Sequence, residues 1–87
     1  MNKKIIALIK PFDMKQSLYV YEDENQIDSC SFAVSNIDNI IFTFVDKYDI
    51  QYVDLVGPKQ YVKGIKKKIK EAEFTKYSKN KLKINII

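Results

Sequence analysis

The chain contains no histidine, no tryptophan and no arginine, and only one cysteine, two glycines and two prolines in 87 residues. Each shortage removes a class of chemistry. Without histidine there is no Ser-His-Asp or Cys-His nucleophile system and no Cys/His zinc site. A single cysteine, Cys30, excludes an intrachain disulfide and fits a reducing compartment. With no histidine to activate it, Cys30 reads as a small strand residue rather than a nucleophile. Without arginine there is no bidentate fork for phosphates or base edges, and every basic residue is lysine. Long apolar runs are missing too. Ile5-Ile6-Ala7-Leu8-Ile9 is too short for a signal-peptide core or a membrane span, and Lys10-Pro11 closes it. The expectation is a soluble, cytoplasmic protein with no membrane partner.

What is present suffices for one small core. Residues 1–87 form a single domain, 46% hydrophobic, near the lower size at which a core holds without disulfides or metal. Charge is divided along the chain. Residues 1–58 hold five lysines against nine acids, and residues 59–87 hold ten lysines against Glu71 and Glu73. The wealth of Lys, Ile and Asn resembles the product of an AT-rich genome, such as a low-GC bacterium or its phage, so a phage or mobile-element origin is expected.

Hydrophobic spacing predicts seven elements around the run Val53-Asp54-Leu55-Val56-Gly57-Pro58. Lys3–Lys10 is a strand apolar on both faces, hence central. Pro11–Gln16 is a loop. Ser17–Tyr21 and Ile27–Val34 form a hairpin about the polar Glu22–Gln26 turn, and the alternation of Cys30, Phe32 and Val34 with Ser29, Ser31 and Ala33 marks an edge strand. Ser35-Asn36-Ile37-Asp38 reads as a capping box, with Ser35 accepting from the amide of residue 38. The stripe Ile37, Ile40, Ile41, Phe44, Val45, Tyr48 follows it. Gln51–Val56 is a second central strand. Gly57-Pro58 ends it and starts a helix through about Phe74, whose buried stripe is Val62, Ile65, Ile69 and Ala72. Gly64 weakens that helix by about 1 kcal/mol relative to alanine, so a close backbone approach is expected there. After a turn at Ser78–Asn80, Lys81–Ile87 is the last, opposite edge strand.

The order β-β-β-α-β-α-β predicts an α/β (mixed α+β) domain: a five-stranded sheet of order 3-2-1-4-5 with both helices on one face. The alternative is a ferredoxin-like α+β sandwich. In element order and burial pattern nearly the whole chain resembles the core of the ribonuclease H-like superfold. That resemblance implies an acid on the first strand and another at the end of the fourth, holding two metal ions. Here Ile5 to Lys10 carries no acid, and Gly57 and Pro58 follow the fourth strand. Asp54 lies mid-strand and Asp13 in a loop. The resemblance thus implies the fold without its usual catalysis, and neither cofactor nor metal is expected. Asp54 reads as a hydrogen-bonded or lysine-paired strand residue. The Gly57–Gly64 stretch fails as a phosphate loop in both spacing and ending.

Two surfaces carry functional expectations. At 100° per residue, Lys59, Lys63, Lys66, Lys67 and Lys70 share one arc of about 100° on the second helix, and Lys76, Lys79, Lys81 and Lys83 extend it. They are nucleic-acid-binding candidates through phosphate contact, against the plain alternative of a solvated face. Tyr61 reads as packed on the sheet rather than stacked on a base. The sheet face away from the helices has no chain left to cover it, and Tyr19, Tyr21 and Tyr52 stand there as interface candidates. The expected function is a small non-catalytic protein-binding or assembly module, its partner another protein or a second copy. A nucleic-acid-binding module is the alternative, and a metal-dependent nuclease using Asp54 and a loop acid the last.

Overall fold

A computed structural model describes residues 2–76 and 82–87, with the backbone alone for residues 74–76. The elements are β1 (Lys3–Leu8), β2 (Lys15–Glu22), β3 (Asn25–Ala33), a short 3-10 turn (Val34–Asn36), α1 (Ile37–Tyr48), β4 (Tyr52–Val56), α2 (Lys59–Lys76) and β5 (Lys83–Ile86). The sheet order is β3-β2-β1-β4-β5, as the apolar patterning predicts. The ferredoxin-like alternative requires βαββαβ, which is not the order found. β1 is antiparallel to β2 and parallel to β4, and β5 is parallel to β4. The expected turn at Ser78–Asn80 and the start of the last strand at Lys81 lie outside the described residues.

Side-chain alternation divides the sheet into two faces. Ile5, Ala7 and Ile9, Leu18 and Val20, Phe32, Val53 and Leu55, and Leu82 and Ile84 are buried in one cluster with Ile37, Ile41, Phe42 and Val45 of α1 and Val62, Ile65 and Ile69 of α2. Both helices therefore lie on one face. Each such Ile, Leu or Phe contributes about 1.5–3 kcal/mol on burial.

The differences from the sequence reading are local. β2 starts two residues earlier than expected because Gln16, assigned to the loop as a polar residue, is buried in the strand. Its Oε1 accepts from the Lys10 amide, and its Nε2 donates to the carbonyls of Lys10 (2.8 Å) and Asp13 (2.7 Å). One side chain thus satisfies three backbone groups of the β1–β2 connection, which removes the cost of burying it. The β2–β3 turn is tighter than the polar run suggested. Glu22 pairs with Asn25, leaving Asp23 and Glu24 between them, with Asp23 at φ 55°. The capping box does not form. Residues Val34–Asn36 make a 3-10 turn, and Asn36, the N-cap of α1, has no side-chain cap bond. Lys68 of α2 docks beside that turn, donating to the Ser35 carbonyl (3.0 Å) and lying 3.9 Å from the Asp38 carboxylate. The expected close backbone at Gly64 is also absent, since a Cβ there would meet nothing within 4 Å.

Candidate functional site

The face of the sheet opposite the helices is built by strand register. Tyr21, Lys4, Tyr52 and Lys83 stand side by side across β2, β1, β4 and β5. In the next row are Ser29, Tyr19, Ile6, Asp54 and Asn85, and in the third Ser31, Ser17, Leu8 and Val56. The structure thus brings Tyr19, Tyr21 and Tyr52 onto one surface, where all three are half-buried among neighbours of the same face. No described element covers it.

Polar contacts order this face. Asp54 is lysine-paired as its position suggested, with Lys4 Nζ 3.4 Å from Oδ2 and Asn85 Nδ2 donating to Oδ1 at 3.3 Å. Lys83 Nζ lies 5.6 Å from the centre of the Tyr52 ring, within cation–π range. Lys3 and Glu22, paired at 3.7 Å, belong to the helix-side face instead. A shallow cleft of about 370 Å³ opens beside Tyr52 and Asp54, lined by Asn2, Lys4, Asp23, Tyr52, Asp54 and Asn85. Among the described residues, no group of three or more Cys, Asp or Glu side chains converges as a metal site, and Asp13 lies on the other side of the sheet's length from this cleft, between Lys10 and Gln16.

At the far end of the same strands, the β1–β2 loop presents Phe12 fully exposed and Met14 at 88% exposure. Sequence reasoning passed over both because an isolated apolar loop residue carries no periodicity. The Gln16 hydrogen bonds and a turn closed by the Asp13 amide on the Lys10 carbonyl (3.1 Å) hold the loop that displays them.

The helix lysines are divided by the fold. Lys59, Lys63 and Lys67 are exposed on α2, and Lys66 is half-buried. Lys70 is engaged internally: Nζ donates to the Leu82 carbonyl at 2.6 Å and sits 3.8 Å from Glu73 Oε1. Glu73, which the sequence did not single out, is buried and accepts the Leu82 amide at 2.9 Å. Lys83 belongs to the open sheet face, not to the α2 face. The side chain of Lys76, and Lys79 and Lys81, lie outside the described residues. Tyr61 packs against the core, as expected.

A third cluster ties the edge strand to α1. Tyr48 Oη donates to Asp28 Oδ2 at 2.5 Å, Asp28 Oδ1 accepts the Ser29 amide at 2.8 Å, and Lys47 Nζ lies 3.5 Å from Oδ2. The Tyr48 hydroxyl first, then the Ser29 amide, hold the Asp28 carboxyl below its ordinary range, with Lys47 adding to the effect. The same hydrogen bond raises the Tyr48 phenol. Nearby, burial and then the Asp28 charge push the Cys30 thiol up, which disfavours the reactive thiolate. No protein-family model matches the chain, and no curated protein matches it.

Proposed function

We propose that this is a non-catalytic protein-binding module whose docking surface is the open face of the sheet. The observation that carries the reading is the assembly of Tyr19, Tyr21 and Tyr52 with Ile6, Leu8 and Val56 on a face that no described element covers. Aromatic anchors with small polar neighbours are the composition of binding hot spots. Phe12 and Met14, displayed on a hydrogen-bonded loop at the end of the same strands, add two apolar anchors on a backbone with little ordering left to lose. Asp54, the acid best placed for metal chemistry, is held by Lys4 and Asn85, which supports a structural role. The element and strand order also support kinship with the ribonuclease H-like superfold, as a reading of fold alone.

Charge selects the occupant. The acid within the strands of the face, Asp54, is used internally by Lys4, and Asp23 at its edge accepts the Asn2 amide. Lys15 and Lys83 stand exposed on it. The partner is therefore a different protein, flat and apolar at the centre of its contact and acidic at its rim. Affinity capture from the source cells tests this with three baits: wild type, Tyr19→Ser with Tyr21→Ser, and Phe12→Ser with Met14→Ser. A partner retained in stoichiometric amount by wild type and lost at least tenfold by both doubly substituted baits supports the reading. Self-association in light scattering would replace the foreign partner by a second copy. A clean monomer whose captured proteins are indifferent to the tyrosines would sink the proposal.

A further inference from the structure

The structure sorts the lysines into two populations. Lys3, Lys4, Lys47, Lys68 and Lys70 each lie within 4 Å of an acid, at 3.7, 3.4, 3.5, 3.9 and 3.8 Å. Among the described residues, Lys10, Lys15, Lys59, Lys63, Lys66, Lys67 and Lys83 have no such partner, and four of these seven cluster between Lys59 and Lys67 on α2. Lys59, Lys63 and Lys67 recur every fourth residue and form one exposed line along the helix. The helix rises about 6 Å between one of them and the next, close to the separation of successive phosphates along a nucleic-acid strand. Like charges at this spacing destabilise a helix, so the line is not there for the stability of α2.

We infer that this line is a second binding surface, which tracks the sugar–phosphate backbone of a nucleic acid. It is separate from the open sheet face, which lies on the other side of the molecule. Its flank suits a strand rather than a protein. Gly64 sits beside the line with open space where a side chain would be, and Gln60 is the other exposed neighbour. The line therefore offers an unobstructed cation row with no apolar anchor of the kind that dominates protein hot spots. Glu71, exposed one step beyond Lys67, marks its end. Lysine acts as a point charge without bidentate readout, and Tyr61 is packed against the core and provides no stacking platform. Binding is accordingly indifferent to base sequence and governed by counterion release.

The test is fluorescence anisotropy with a labelled 20-nucleotide oligothymidine and a 20-base-pair duplex, each titrated between 50 and 200 mM NaCl. The three lysines of the line with the adjoining Lys66 make four contacts, which predict a slope of log K against log salt of about −3 on the single strand and slightly steeper on the duplex. Lys59→Gln, Lys63→Gln and Lys67→Gln together reduce the slope to about −1 and weaken binding at 50 mM at least tenfold, with a circular-dichroism melt at or above that of wild type. The control variant Lys10→Gln, Lys15→Gln, Lys83→Gln loses the same charge elsewhere and keeps the wild-type slope. Absent binding at 50 mM overturns the inference. So does equal loss in the two triple variants, which would reduce the effect to net charge. Displacement of the oligonucleotide by poly-glutamate at equal charge would reassign the line to acidic polypeptides. The Tyr19→Ser, Tyr21→Ser protein binds as wild type here, so failure of this surface and failure of the sheet face give separate results.

Discussion

Gly57 and Gly64 look alike in the sequence, seven residues apart, and the structure gives them opposite meanings. A Cβ at Gly57 would stand 2.7 Å from the Ile9 carbonyl oxygen and 3.2 Å from side-chain atoms of Ile9 and Val62. The close approach of β4 to the end of β1 depends on its hydrogen side chain. Gly57→Ala is expected to destabilise by about 1–3 kcal/mol through overpacking against backbone. Gly64→Ala, in open space within a helix, is expected to stabilise by about 1 kcal/mol. Urea unfolding of the two variants checks both signs. Asp28 supplies a pH signature. Its folded-state affinity for protons is lowered by Tyr48, Ser29 and Lys47, so its contribution is fully present above the unfolded value, near 3.8, and disappears as pH falls through the lower folded value. The stability gap between wild type and Asp28→Asn is therefore expected to be open at pH 6 and to close in acid below pH 4, followed by unfolding at a series of pH values. The helix cost of Gly64 was readable from the sequence, but the close approach at Gly57 and the open space at Gly64 were not, because a glycine's use depends on what approaches it. The Asp28 partners Tyr48 and Lys47 come from another element, about twenty residues away.

At the scale of elements, periodicity carried most of the fold. Alternation placed β1 and β4 in the centre and β3 and β5 at the edges, and the 3.6-residue stripe identified α1. The stripe still missed Phe42, which is buried where Ile40 and Phe44 are only half-buried, because the two packing neighbours of α1 widen its apolar arc. Polar residues that serve backbone groups were invisible for a physical reason: Gln16 and Glu73 look solvent-facing until the loop or strand they serve is in place. Glu73 and Lys70 together grip Leu82 by its amide and its carbonyl, fastening the approach to β5 onto α2. Glu73→Ala leaves the Leu82 amide buried without its acceptor and is expected to cost about 1–3 kcal/mol. Glu73→Gln retains an acceptor oxygen and is expected to cost distinctly less. Thermal melts of the pair, compared with wild type, separate the hydrogen bond from the charge. The same grip explains why Lys70 stands apart from the other α2 lysines, a distinction that helical angle alone does not make.

For the whole molecule, the division of charge along the sequence becomes a division between layers. The sheet holds three acids of the first 58 residues, Glu22, Asp28 and Asp54, in pairs with lysines, and the exposed cations of α2 lie on the outer layer. Composition made the lysine face visible; only the ion-pair pattern showed which of its members are engaged elsewhere. The open sheet face was legible from strand order and helix count, but the loop that displays Phe12 and Met14 was not, since a fixed loop conformation rests on tertiary hydrogen bonds. The strand directions have one further consequence. β1, β4 and β5 run parallel, so Asn2 and Ile87 leave the sheet at opposite ends. Tension applied between those two residues pulls along the strands and loads the β1–β4 and β4–β5 ladders in shear, all their hydrogen bonds at once. Tension between Asn2 and Asp23, neighbours joined by the Asp23 amide on the Asn2 carbonyl at 2.8 Å, would instead peel β2 from β1 one pair at a time. A small domain wired in this way is mechanically stiff along the path from one end of the described chain to the other and soft across its first hairpin.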